Sequence, residues 1–193
     1  VAVGAYLTIM SDEAMIVDKT CSIFLAGSYL VKAAIGETID NETVGGATTH
    51  CEISGVTDYK AKNDADALDR IKNIMKSLGD FEKAGFDRIE SAEPKEKIEN
   101  IFGIMPALRN EQYDTKEILK CLTDNSEFEE YKADYGKTII CATARIDGWS
   151  VGIVANQRTL VKNGKGEMQF GGVIYSDSAD KATRFIANCN QRK

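Results

Sequence analysis

Thirteen residues, VGGATTHCEISGV from Val44 to Val56, hold Gly45, Gly46, Gly55, two threonines and the only histidine of the chain, His50. A histidine in such company suggests base or nucleophile-activating chemistry. That chemistry needs a serine or cysteine within reach, and Cys51, next in sequence, points the other way if the backbone is extended. No D-x-D-x-D or H-E-x-x-H pattern offers a metal site, so none is expected. No phosphate loop of the G-x-x-x-x-G-K type occurs, nor a G-x-G-x-x-G after a strand. The backbone itself remains. VAVGAY and VGGATTH both set glycine among small residues, where N–H groups can approach a ligand and hold a developing oxyanion without any titrating side chain. The same glycines serve equally to fill turns of positive φ, and pattern alone favours that plainer use.

The surrounding composition narrows the class. The chain has 193 residues, 43% of them hydrophobic, and a net charge of −6. That suits one or two modest globular domains. No apolar run approaches the roughly 20 residues of a membrane span, so no membrane partner is expected. The acidic balance argues against nucleic acid. Cys21, Cys51, Cys121, Cys141 and Cys189 are odd in number and widely spread, which reads as free thiols. Val1 enters directly into VAVGAYLTIM, and IANCNQRK stops without a C-cap glycine, so the sequence reads as part of a longer chain.

Along the chain, AMIVDK (14–19) and SIFLA (22–26) have strand length and apolar content. SYLVKAAI (28–35) reads as a helix opened by Ser28 after Gly27 and closed by Gly36. From Asp64 the spacing of Ala67, Leu68, Ile71, Ile74, Met75 and Leu78 predicts an amphipathic helix with one face in the core and Gly79 at its C′ position. Residues 80–112 hold both prolines, Pro94 and Pro106, and the charge run ESAEPKEKIEN, and read as a solvated connector. Asp114 and Glu117 have capping-box spacing, and Ser126 and Glu129 repeat it, predicting a second helix that buries Phe128 and Tyr131 on one side. Two apolar runs around Asp147-Gly148 predict a hairpin with a type I′ turn. A final helix from about Ser178 sets Ala182, Phe185, Ile186 and Cys189 on its apolar face. Strands and helices alternate in both halves, which predicts a mixed α/β chain in two related parts.

Several long stretches also carry a family resemblance. GGATTHCEISGVTDYKAKND and VGAY…MSDEAMIVDKTCSIFLAGSYLVKAAIGE resemble the carboxyltransferase (β) subunits of biotin-dependent acyl-CoA carboxylases of the methylcrotonyl-CoA and propionyl-CoA type. So do YDTKEILKCLTDNSEFEEYKADYGKTIICATARIDGWSVGIVAN and SDSADKATRFIANCNQRK. The resemblance covers nearly the whole chain apart from the connector.

The resemblance implies an α/β, crotonase-like fold of ββα spirals in two homologous domains. Residues 1–79 would then end the acyl-CoA domain, 80–112 would connect, and 113–193 would start the carboxybiotin domain. It implies transfer of CO2 from carboxybiotin to an acyl-CoA enolate held by backbone oxyanion holes, with no protein base required. The first hole would use the N–H groups of Val3 and Gly4, where the family reads two glycines; the Val3 isopropyl group narrows the approach. Ala5, Gly27, Lys32, Gly45, Gly46, Ala47 and His50 would lie near the acyl-CoA, with His50 structural or substrate-proximal rather than catalytic. The biotin would ride on a carrier partner supplied by a biotin carboxylase, and the assembly would be a dimer-based homo-oligomer, a hexamer. A bacterial cytoplasm or the mitochondrial matrix would be its setting. RTLVKNGKGEMQFGGVIYSDSA (158–179) exceeds the family's GVLFSESA. A biotin-dependent decarboxylase subunit of the sodium-pump kind, with a longer insertion here, is the alternative.

Overall fold

The computed structural model describes residues 2–78, 88–108 and 111–192. The expected C-cap at Gly79 therefore falls outside the described residues.

The first half is built on a parallel pair, β1 (Met15–Val17) and β2 (Tyr59–Ala61), in register Met15↔Tyr59 to Val17↔Ala61. Parallel strands need a long crossover. Here it carries α2 (Ser28–Ile35), α3 (Asn41–Gly45) and a π-helical turn (Thr49–Ile53). A short helix, α1 (Ala2–Ile9), precedes the pair, and α4 (Asp64–Leu78) follows it. The second half is an antiparallel meander, β3 (Phe128–Tyr131), β4 (Ile139–Ile146) and β5 (Trp149–Asn156), flanked by α6 (Thr115–Leu122) and α7 (Ser176–Arg192). A two-stranded ribbon, β6 (Val161–Lys162) with β7 (Met168–Gln169), fills part of the 158–179 stretch. A 3-10 turn (Ile98–Asn100) and α5 (Ile101–Ile104) lie within residues 80–112, where the charge run is mostly exposed, as expected.

Strand β4 shows why this sheet forms. IICATARI is nearly continuous in apolar content because both of its faces are covered. Ile139 and Cys141 join Tyr59, Tyr131 and Phe185 in one cluster, with Met15, Ile74, Ala182 and Cys189 packed around it. Ile140 and Ala142, one residue out of phase, pack with Leu119 of α6, Phe128 and Ile153. The first cluster draws on both halves of the chain.

The hairpin forms as predicted. Ile146 faces Trp149 across Asp147 (φ 52°) and Gly148 (φ 77°), the two positive φ values of a type I′ turn. The Asp124 carboxylate fixes the turn by accepting from the N–H groups of Asp147 and Gly148, at 2.8 and 2.7 Å. Gly36 closes α2 in the left-handed conformation (φ 77°). Asp114 caps α6 by accepting from the Lys116 N–H at 2.9 Å, and also from Gln157 Nε2 at 2.9 Å. Replacing Asp114→Ala removes both, so stability should fall by about 2 kcal/mol in a denaturant titration; an unchanged midpoint would show the cap to be idle.

Five expectations need correction. Residues 22–26 form no strand; the Ile23 N–H donates instead to the Gly45 carbonyl at 2.8 Å, and a single bond of this kind makes no ladder. Gly27, not Ser28, occupies the N-cap of α2. Glu117 does not complete a capping box, because its carboxylate pairs with Lys120 at 2.8 Å. Residues 128–131 are a strand, since pairing with Cys141–Ala144 outweighs the helical spacing. That alternation sends Phe128 and Tyr131 into different clusters. The apolar faces of two helices are also partly open. In α4 the row Ala67, Arg70, Ile74, Ser77 faces the sheets, as the Arg70–Glu129 and Thr143–Ser77 contacts show, while Leu68, Ile71 and Met75 are exposed. In α7 the buried row runs Ser178, Lys181, Phe185, so Ile186 is exposed; the helix begins at Ser176.

Candidate functional site

Gly45 and Gly46 lie in a wound segment rather than a loop. Asp40 caps α3, accepting from the Thr43 N–H at 2.9 Å and the Thr43 hydroxyl at 2.6 Å, and these bonds hold its carboxyl below the ordinary range. Gly45 and Gly46 end this helix, and the chain then widens into the π-helical turn that carries His50. Such turns recur at functional sites.

The structure gathers Gly27, Gly45, Ala47 and His50 around Ile23 and Phe24, with Gly46 against Glu42. A side chain on Gly45 would stand 2.1 Å from the Ile23 carbonyl oxygen, and one on Gly46 would stand 2.6 Å from that of Glu42. A side chain on Gly27 would meet the Phe24 ring at 2.8 Å. These three glycines thus have a packing reason of their own, close approach of neighbouring groups. Ala47 is buried with Ile16 and Cys51, against Ile23. His50 uses both ring nitrogens: Nε2 donates to the Ile23 carbonyl at 2.6 Å, which leaves Nδ1 to accept from the Ser54 hydroxyl at 3.1 Å. The histidine ring thus ties the Ile23 backbone to the Ser54 side chain.

Val3, Gly4 and Ala5 stand apart on α1, and Lys32 lies exposed in the last turn of α2. Val3 and Gly4 lie on α1 close to Ala2, where the helix begins. A Cβ added at Gly4 would meet nothing within 4 Å, so the space beside it is open, whereas Ala5 is buried.

Sequence reasoning missed two buried charge clusters. Lys132 Nζ lies 2.9 Å from Asp58 Oδ1, with side chains 3% and 0% exposed. Lys181, fully buried on α7, reaches Glu130 at 3.3 Å, and Lys116 pairs with the same carboxylate. Burial pushes the Lys181 ammonium down, with Glu130 opposing. The hint available was a lysine between Tyr131 and Tyr135, where aromatic rings flank a buried cation; Lys132 Nζ sits 5.5 and 5.9 Å from those ring centres.

The five cysteines are free, with Cys21 exposed and Cys51, Cys121 and Cys141 buried. Among the described residues no cluster of three or more His, Cys, Asp or Glu could hold a metal ion. Burial pushes the Cys51 and Cys141 thiols up to about 11 from 9.0. A raised folded pKa contributes stability that is complete below the unfolded value and is lost as pH rises through the folded value. The thermal midpoint should therefore decline between pH 9 and 11, and less steeply after Cys51→Ala; a flat profile over that window would contradict this.

The parallel pair with its helical crossover, the meander and the closing helix together make the crotonase-like fold. They superpose on the transcarboxylase 12S core, a hexamer solved with methylmalonyl-coenzyme A and methylmalonic acid bound, with a TM-score of 0.78 and 28% identity over 96% of this chain and 34% of that one. The chain belongs to the carboxyl transferase domain family, whose model matches residues 1–193. It is 42% identical over 190 residues to the biotin-dependent 3-methylcrotonyl-coenzyme A carboxylase beta1 subunit of Mycobacterium tuberculosis, covering 98% of this chain and 33% of that protein. It is 39% identical to the mitochondrial methylcrotonoyl-CoA carboxylase beta chain of Dictyostelium discoideum, covering 98% and 30%. The chain thus spans about a third of the length of the curated relatives it matches. No described helix is long and apolar enough to cross a membrane.

Proposed function

We propose that the protein containing this chain is the carboxyltransferase component of a biotin-dependent acyl-CoA carboxylase. Residues 1–79 contribute to its acyl-CoA side and 113–193 to its carboxybiotin side, joined by 80–112. Carboxybiotin, delivered on a carrier partner charged by a biotin carboxylase, would supply the CO2, and the biotin left behind would accept the substrate proton. The chain's own task is to hold the thioester oxygen as negative charge develops on it. The observation that carries this reading is the match of residues 1–193 to the carboxyl transferase domain family, with 42% identity to a biotin-dependent carboxylase beta subunit; by that likeness the donors are the N–H groups of Val3 and Gly4, and a Cβ added at Gly4 would meet no atom within 4 Å. Donors fixed in that direction before reaction stabilise the enolate more than the neutral thioester, so they act on kcat. The Val3 side chain, 76% exposed, narrows the approach to the acyl group. On this reading Lys32, exposed on α2, meets the anionic part of CoA, and Gly27, Gly45, Gly46, Ala47 and His50 lie near the acyl-CoA.

The names of the relatives favour carboxylation over the decarboxylase direction. The hexameric relative supports a homo-oligomer, and the mitochondrial beta chain supports the matrix or a bacterial cytoplasm. The test is carboxylation by the full-length protein with its biotin-carrying partner, ATP and bicarbonate, across acyl-CoAs from acetyl to long-chain. Avidin-sensitive product supports the proposal; activity indifferent to avidin or ATP would contradict it.

A further inference from the structure

The β6–β7 ribbon belongs to the second half of the chain, yet its tip rests on the first. A side chain on Gly164 would stand 2.2 Å from the Glu52 carbonyl oxygen and 3.0 Å from the Ile53 nitrogen, so the ribbon backbone lies directly against the π-helical turn that carries His50. Gly166 has a positive φ of 83°; Gly164 does not, and close approach alone demands glycine there. The tip is a closed unit. Asn163 Oδ1 accepts from the N–H groups of Lys165 and Glu167 at 3.0 and 2.9 Å, and Asn163 Nδ2 donates to Glu167 Oε2 at 2.8 Å. The base is fastened too: Gln169 Nε2 donates to Asp177 Oδ2 at 3.2 Å, and the Gly172 N–H donates to the Gln157 carbonyl at 2.8 Å. Within the first half, Lys60 of β2 also grips the turn, donating to Glu52 Oε1 at 3.0 Å and to Thr48 Oγ1 at 3.1 Å.

We infer that the ribbon is a strut: Gly164 and Asn163 are positioning residues through which the second half holds the π-helical turn, and with it His50, in the arrangement that takes the acyl-CoA. This deepens the proposed function and rests on it. Neither residue needs to touch substrate. A π-helical turn is a rare conformation, closed here by the Ser54 N–H donating to the Thr49 carbonyl at 3.0 Å, and its shape depends on what packs against it. His50, in the middle of the turn, passes any displacement to the Ile23 carbonyl 2.6 Å away, and the Ile23 N–H is bonded in turn to Gly45. The relay therefore runs from the ribbon tip to the small residues assigned to the acyl-CoA side. Those residues meet the bound ester before and during reaction alike, so the strut acts on KM rather than on kcat.

The experiment uses the full-length enzyme and two readouts. In Gly164→Ala the added methyl cannot share space with the Glu52 carbonyl, so tip and turn must part. Amide hydrogen exchange at residues 49–54 should then be about tenfold faster, with β4 exchanging as in the parent. KM for acyl-CoA should rise severalfold at a kcat near the parental value. Lys165→Ala removes an exposed charge from the tip but keeps the backbone contact, and should leave both readouts parental. Unchanged exchange in Gly164→Ala, faster exchange with a parental KM, or a loss confined to kcat would overturn the inference while leaving the proposed function intact. A KM raised as much by Lys165→Ala would overturn it too, since the tip would then meet CoA by charge. If the parent carboxylates no acyl-CoA, the proposed function falls and the inference with it. Should Gly164→Ala not fold, Asn163→Ala decides, because it adds no bulk and loosens the tip from within. The same two changes support the inference, and the absence of either overturns it.

Discussion

Gly4→Pro should lower the kcat of the full-length enzyme by about a hundredfold to a thousandfold while leaving KM for acyl-CoA near its parental value. Proline lacks the N–H, so the substitution deletes the proposed donor. Loss of a single oxyanion donor has effects of this size because the bond strengthens as charge develops. Gly4→Ala is the matched control. It keeps the N–H, its Cβ meets no atom within 4 Å, and it favours the helix by about 1 kcal/mol. A large loss with proline and a small one with alanine isolates the N–H group. Equal losses would mean that open space, not the donor, is what Gly4 provides.

The largest expected effect on stability is at Gly45. One of its Cα hydrogens points at the Ile23 backbone, and an added methyl would lie 2.1 Å from the carbonyl oxygen and 2.9 Å from its carbon. Backbone cannot yield as a side-chain tip can. Making room would break the Ile23 N–H to Gly45 bond at 2.8 Å and the His50 bond to the Ile23 carbonyl at 2.6 Å. Overpacking together with two lost hydrogen bonds suggests a loss of about 3 kcal/mol for Gly45→Ala. A denaturant midpoint equal to that of the parent would show that the crossover adapts and that Gly45 is not demanded by packing. Gly36→Ala, by comparison, meets no atom within 4 Å but keeps a φ of 77°, so only backbone strain opposes it.

How much of this was legible in the sequence follows from the range of each signal. The Asp147-Gly148 turn, the Asp114 cap and the Gly36 stop are set within a few residues by φ preference and local hydrogen bonds, and all three were readable. Residues 126–131 misled because Ser126 and Glu129 have helix-start spacing, yet the segment is claimed by β4, whose pull is tertiary. The helical faces of α4 and α7 were legible as amphipathic but not as to which row lies inward. That choice depends on Glu129 and Thr143 lying opposite Arg70 and Ser77. The π-helical turn after Gly46 has no compositional mark at all. At the candidate site, small residues at VAVGAY and VGGATTH were visible, but they sort differently in space: Gly4 lies beside open volume and Gly45 and Gly46 under close contact. The Asp58–Lys132 pair was not legible as a pair because its partners are far apart in sequence; only the tyrosines flanking Lys132 hinted at a buried cation.

The central claim is that this chain belongs to a protein that moves a carboxyl group from biotin to an acyl-CoA, using backbone donors on α1. The most direct measurement omits ATP and bicarbonate. The full-length protein is mixed with carrier bearing carbon-labelled carboxybiotin and with an acyl-CoA, and acid-stable label on the CoA ester is followed over time. The account predicts that label moves to the acyl-CoA with the parent and with Gly4→Ala, and moves about a hundredfold or more slowly with Gly4→Pro. Label that never reaches any acyl-CoA, or that reaches it as fast with Gly4→Pro as with the parent, would contradict it.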